Sequence, residues 1–137
     1  MLELKNLSKT YTQNNHCVEV IKNLNLSVSE QEFIALVGPS GCGKTTLLKI
    51  IAGLLPATSG ELILDEKKIV SPGRNRGLVF QQFTLFPWRT VRENISFGLD
   101  LQKLDTKKKT EIVNHYLGVT ELKDFAEINH PTPRGGV

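Results

Sequence analysis

Apolar residues recur along this chain in three rhythms, and each rhythm predicts a different kind of element. Leu2, Leu4 and Leu7 stand among charged and polar neighbours, as in a short half-buried strand. Residues 10–16 are polar and read as a loop that carries Tyr11. Strand character resumes at 18–21. Leu24, Leu26 and Val28 then alternate with Asn and Ser, a period of two with one wet face. These strands predict an antiparallel sheet beside the main core. Residues 33–37 (FIALV) and 76–80 (RGLVF) differ. The first is apolar throughout, as expected of a strand covered on both faces, and the second reads as a further apolar strand.

The helical segments have clear punctuation. Leu47, Leu48, Ile50, Ile51 and Ala52 make a helix apolar nearly all round, which predicts burial, and Gly53 is its left-handed stop. Val91, Ile95, Leu99 and Phe97 mark a short helix, with Thr90 as N-cap and Glu93 at capping-box spacing. A helix over 106–117 places Ile112, Val113, Tyr116 and Leu117 on one face, with Gly118 as its stop. Thr120 is positioned to cap a third short helix. The stretch 61–66 (ELILDE) imitates a Walker B strand ending in two carboxylates. Lys67-Lys68 follow at once and Ile69-Val70 resume apolar character, so Asp65 to Lys68 reads instead as a hairpin turn. The aromatic stretch 83–88 (FTLFPW) has two explanations, core packing or a docking surface for another protein.

Composition narrows the class. The 137 residues suffice for one domain, and 39% hydrophobic with 23% charged residues is ordinary for a soluble globular chain. The net charge of +3 is mild and its basic residues are scattered, so nucleic-acid binding is not indicated. Lys107-Lys108-Lys109 reads as a solvated helix face. Cys17 and Cys42 are too far apart for a metal-type spacing, and His16, His115 and His130 have no partners at ligand spacing. No apolar run reaches the length of a membrane span, and the start lacks a signal peptide's apolar region.

The specific chemistry lies between 33–37 and the first helix. Gly38, Pro39, Ser40, Gly41, Cys42, Gly43, Lys44 and Thr45, followed by Thr46, fit the phosphate-loop pattern G-x-x-x-x-G-K-[ST] at a strand-to-helix junction. Positive φ at Gly38, Gly41 and Gly43 is expected to curl backbone N–H groups around phosphate oxygens. The helix start adds unpaired amides and the positive end of its dipole. Lys44 supplies a cation for the β- and γ-phosphates, and the Thr45 hydroxyl suits Mg²⁺. Cys42 lies inside this loop, where a disulfide would obstruct a ligand, so a reducing compartment is expected.

With GPSGCGKTTLLKIIAGL at 38–54, PATSGELIL after it and RGLVFQQFTLFPWRTVRENISFGL at 76–99, the sequence resembles the N-terminal part of an ABC transporter ATP-binding subunit. SPGRNRGLVFQ with PWRTV resembles the nitrate/sulfonate/taurine importer type. The resemblance implies an α/β P-loop NTPase fold with an N-terminal antiparallel β-subdomain, truncated before the second half of the parallel core. It implies one incomplete domain over 1–137: a core with the phosphate loop to about residue 80, then the Q-loop and the start of a helical subdomain. By resemblance Tyr11 stacks on adenine, Val20 lines the adenine site, and Gln81 positions Mg²⁺ and the attacking water. Phe83, Leu85, Phe86 and Trp88 contact the permease. The implied cofactors are ATP and Mg²⁺. The implied partners are a transmembrane permease and a second ATP-binding subunit, on the cytoplasmic face of the cell membrane. The family's signature segment is expected as Leu-Ser-Gly-Gly, whereas Pro133-Arg134-Gly135-Gly136 stands here. Walker B, the D-loop and the switch histidine are not found. MgATP binding is therefore expected ahead of turnover, with a permease-binding module lacking catalysis, or a truncated product, as the alternative.

Overall fold

A computed structural model describes residues 1–14, 16–82, 84–102 and 104–129, and these fall into two compact units, Met1–Val79 and Phe80–Val137. The first unit is built on a long hairpin. Strand β1 (Leu2–Gln13) pairs antiparallel with β2 (His16–Val28), from Leu2 opposite Val28 to Gln13 opposite His16. The polar residues 10–13 thus belong to a strand, not to the expected loop. Cross-strand pairing up to Gln13 satisfies their backbone groups, which outweighs their lack of apolar pattern.

In a regular strand Leu4 and Leu7 would face opposite sides. Both are buried, at 2% and 0% exposure, because the register shifts between them. Asn6 takes φ 49° at the irregularity, with Asn23 at φ 44° on the neighbouring strand. The Asn6 N–H donates to Asn25 Oδ1 at 2.9 Å, and the Asn23 N–H donates to Ser8 Oγ at 2.9 Å. Side chains thus take the hydrogen bonds that the ladder gives up there.

Strand β3 (Ser59–Leu64) lies antiparallel on the other edge of β1, and β4 (Lys67–Lys68) returns beside it, giving the order β2-β1-β3-β4. Asp65 and Glu66 form the intervening turn with φ 48° and 64°, the left-handed pair of a tight hairpin. Asp65 accepts from the Met1 ammonium at 2.5 Å and is exposed, as the hairpin reading of this stretch requires.

Helix α1 (Lys44–Ile51) places Leu47 and Ile50 in one cluster with Leu4, Leu7, Ile21 and Leu62. Leu48 is 43% exposed, so the helix is buried on one side and not all round. Gly53 ends it at φ 78°. Its N–H reaches Ile50 O and the Leu54 N–H reaches Lys49 O, both at 2.9 Å, the paired closure of a Schellman turn.

Two expected strands do not form. Residues 33–37 and 76–80 are irregular, and Phe33, Val37 and Val79 are 92%, 92% and 96% exposed. An all-apolar parallel strand exists only between neighbours that pair its edges and cover its faces. Among the described residues none pairs with either segment.

In the second unit, α2 (Val91–Asp100) begins with the expected capping box. The Glu93 N–H donates to Thr90 Oγ1 at 3.2 Å and the Thr90 N–H to Glu93 Oε2 at 2.8 Å. Asp105 caps α3 (Thr106–Val119) by accepting from the Lys107 N–H at 3.1 Å. Val113, Leu117 and Ala126 form a small core with Val91, Ile95 and Leu99, while Tyr116 is 52% exposed. Gly118 lies inside α3 and does not stop it. Thr120 closes this helix, its hydroxyl donating to Tyr116 O at 2.8 Å, and so does not cap the 3-10 turn Lys123–Phe125 that follows. Lys109 is not merely solvated. It hydrogen-bonds Asp100, and that bond holds the Asp100 carboxyl below the usual carboxylate range. Among the described residues no helix is long and apolar enough to cross a membrane.

Leu7 is fully buried at the bulge where β1 meets both neighbours. Leu7→Ala is expected to cost about 2–5 kcal/mol of stability, read as a lower midpoint in urea unfolding. A loss below about 1 kcal/mol would show that the bulge does not create the core.

Candidate phosphate-loop site

The glycine-rich loop enters α1 through two residues in the left-handed region, Gly41 at φ 81° and Gly43 at φ 96°. Gly38 is not in that region, contrary to expectation. Its small size serves another purpose, since a Cβ there would lie 2.8 Å from Cys42 Sγ. Gly43 is constrained twice. Besides its φ, a Cβ would come within 2.8 Å of Val20 Cγ1 and 3.0 Å of the Val20 carbonyl oxygen. Strand β2 therefore fixes where the loop becomes helix.

Gly43 is the N-cap of α1, with no side-chain cap, and the first turn holds no acidic residue. The opening amides of the helix therefore meet neither a capping oxygen nor a competing carboxylate, an arrangement suited to an external anion. Lys44 turns back over the loop. Its ammonium donates to the Gly38 and Pro39 carbonyl oxygens, at 2.7 Å each, and lies 3.5 Å from Cys42 Sγ. Ser40 and Thr45 are exposed, and Thr46 is half-buried at the helix start.

Of the residues assigned to adenine, Val20 is half-buried against Gly43 and shares with Leu36, Val37 and Lys44 the lining of a groove of about 230 Å³. Tyr11 pairs with Val18 across the hairpin. Tyr11 is 42% exposed, with Lys9 Nζ 5.2 Å from its ring centroid. Gln81 is exposed and belongs to the second unit.

The two explanations for the aromatic stretch divide by residue. Phe86 is half-buried, its ring centroid 4.6 Å from Phe97 and 5.6 Å from Trp88. Leu85 and Trp88 are 51% and 72% exposed. Phe83 lies outside the described residues, as do residues 133–136. Sequence reasoning missed two side chains here. Asn94 bonds the loop backbone: Oδ1 accepts from the Phe86 N–H at 2.8 Å, and Nδ2 reaches the Phe86, Arg89 and Thr90 carbonyls at 3.1, 3.2 and 3.0 Å. Arg89 holds its guanidinium 5.3 Å from the Phe86 ring and 5.0 Å from the Phe97 ring. The available signal was an Asn in the first turn of a helix just after a Pro-containing loop, a place where amide side chains bond backbone.

A glycine-rich loop opening a helix against an antiparallel β-subdomain defines the class, a P-loop nucleotide-binding domain of the ATP-binding-cassette type. The ABC transporter family profile matches residues 21–132, and the chain belongs to that family. It is 40% identical over 136 residues to the nitrate import ATP-binding protein NrtD of Synechocystis sp., covering 99% of this chain and 51% of the relative. It is 44% identical over 127 residues to the taurine import ATP-binding protein TauB of Roseobacter denitrificans, covering 92% and 47%. An uncharacterised ABC transporter ATP-binding protein of Methanocaldococcus jannaschii is 46% identical over 126 residues, covering 92% and 47%. The chain thus spans about half the length of the curated relatives it matches. Among solved structures, the dimeric post-hydrolysis state of the ATP-binding cassette MJ0796 bound to ADP and Pi superposes with a TM-score of 0.81 at 33% identity, covering 96% of this chain and 62% of that one.

Gly43→Ala combines a disfavoured φ with a collision against β2. A loss of about 1–3 kcal/mol is expected in urea unfolding, whereas Ser40→Ala, at an exposed position, is expected to be neutral within about 0.5 kcal/mol.

Proposed function

We propose that this chain is the MgATP-binding portion of an ABC importer's ATP-binding subunit, the subunit that energises solute uptake through a separate transmembrane permease. The observation that carries the reading is Lys44 at the mouth of a loop whose following helix amides are left uncapped. Triphosphate oxygens replace the Gly38 and Pro39 carbonyls as partners of the Lys44 ammonium, trading neutral acceptors for charged ones. The backbone N–H groups of 41–46 donate to the β-phosphate, and the helix dipole adds to their field. The Thr45 hydroxyl and the Gln81 side-chain carbonyl are hard oxygen donors of the kind Mg²⁺ takes. When bound, that ion neutralises phosphate charge. Tyr11 offers an exposed ring face for adenine, and Val20 offers an apolar edge beside Gly43.

Residues 1–80 form the nucleotide-binding core under this reading, and 81–137 supply Gln81 and the partner-facing part. Leu85, Phe86 and Trp88, with Phe83, form the surface that meets the permease. A second ATP-binding subunit completes the site, and the assembly lies on the cytoplasmic face of the membrane. Nitrate and taurine are named for relatives of this chain, which supports the importer class. Asp65 and Glu66 have no part in water activation, since they form an exposed hairpin turn. Binding is therefore assigned to these 137 residues, and turnover is not.

Isothermal titration with MgATP tests this directly. Lys44→Ala is expected to weaken binding at least tenfold, on the order of the loss of one charge-assisted contact. Phosphate release by the 137-residue chain is expected to equal that of the Lys44→Ala control. Equal MgATP affinity in the two proteins would refute the binding role, and Lys44-dependent phosphate release would refute the restriction to binding.

A further inference from the structure

The loop that carries Leu85 and Trp88 presents apolar side chains to solvent yet is held from beneath by a polar one. The Asn94 amide pairs with the Phe86 peptide on both sides, accepting from its N–H and donating to its C=O. The same Nδ2 reaches the Arg89 and Thr90 carbonyls. One acceptor facing an N–H and one donor facing three carbonyls fix the orientation of the amide. The Phe86 carbonyl also takes the Arg89 N–H at 3.1 Å, so both of its lone pairs are engaged. Above this, the Arg89 guanidinium packs against the Phe86 and Phe97 rings, a cation on aromatic faces. The capping box at Thr90 and Glu93 anchors the far end.

The amide is spent on the backbone of a loop that leaves its own apolar side chains, Leu85 and Trp88, in solvent. Such an arrangement fixes the backbone on either side of Trp88 before anything binds. Docking then costs little ordering of the loop, and affinity rises without a new contact. We infer that Asn94 is the positioning residue of the docking surface: it touches no partner itself and holds the loop of residues 84–90 in the shape that the permease recognises. The inference rests on the docking role proposed above for Leu85 and Trp88.

Trp88 is the chain's only tryptophan, so its fluorescence reports this loop directly. Asn94→Asp is the informative variant. Its carboxylate still accepts from the Phe86 N–H, and a negative charge near the start of α2 suits the helix dipole. It cannot donate, however, and it faces three carbonyl oxygens. The expected result is unchanged helical circular dichroism with a clearly lower Trp88 fluorescence anisotropy, as for an exposed side chain whose backbone has been loosened. Asn94→Ala is expected to act in the same direction.

Partner binding is read by co-sedimentation with urea-stripped membrane vesicles of the source cell, against protein-free vesicles of the same lipids. Asn94→Asp is expected to weaken association with the stripped vesicles about tenfold, and Trp88→Ala at least as much. Wild-type anisotropy in Asn94→Asp would overturn the inference. So would a loosened loop with unchanged vesicle affinity while Trp88→Ala loses affinity, since positioning would then not matter to docking. Unchanged affinity in Trp88→Ala, or equal binding to protein-free vesicles, overturns the docking reading and this inference with it. In that case the fluorescence change alone shows a clamp with a purely local role.

Discussion

The contact between Gly43 and Val20 is the constraint on which the candidate site depends. A residue that must take a left-handed φ lies where any side chain would strike β2. The loop between Gly38 and Lys44 is consequently pinned at its helical end to the antiparallel sheet. Helix α1 packs Leu47 and Ile50 onto the same sheet through Leu4, Leu7 and Leu62. The bulge in β1 that turns Leu7 inward therefore bears on the phosphate loop, because it builds the surface against which that loop's helix is set. Fold and site share one set of contacts in the first unit.

The apolar segments 33–37 and 76–80 stand outside that set. Their composition specifies burial between neighbours, while their positions leave Phe33, Val37 and Val79 in solvent. Apolar pattern and strand formation are separable here, because a strand in a parallel sheet takes its hydrogen bonds from other strands and none from itself. Membership of the ABC transporter family places this chain with relatives about twice its length.

What was legible in the sequence was the local chemistry. The Gly53 stop, the Thr90–Glu93 box and the turn at Asp65 each follow from a few adjacent residues, and each stands as read. The turn into α1 was legible for the same reason, with the expected left-handed φ at Gly41 and Gly43, whereas Gly38 answers to Cys42 and not to its own φ. Features that depend on distant partners were not legible. The continuation of β1 through Gln13 needs β2 opposite it, and Asn94 acquires its role only when the preceding loop folds over it. Thr120 fits either of two helix ends by sequence, and its bond to Tyr116 decides for the earlier one. Phe86 and Trp88 sit two residues apart with the same chemistry, yet one packs inward and the other outward, a distinction set by Phe97 from another element.

The central claim is that residues 38–46 form a preset anion cradle whose lysine exchanges backbone carbonyls for phosphate oxygens. Backbone amide chemical-shift mapping of the 137-residue chain during titration with MgATP tests it most directly. The account predicts that the amides of Gly41, Gly43, Lys44 and Thr45 move first and furthest, saturating together. Shifts confined to other residues, with these four amides unmoved at saturation, would contradict it.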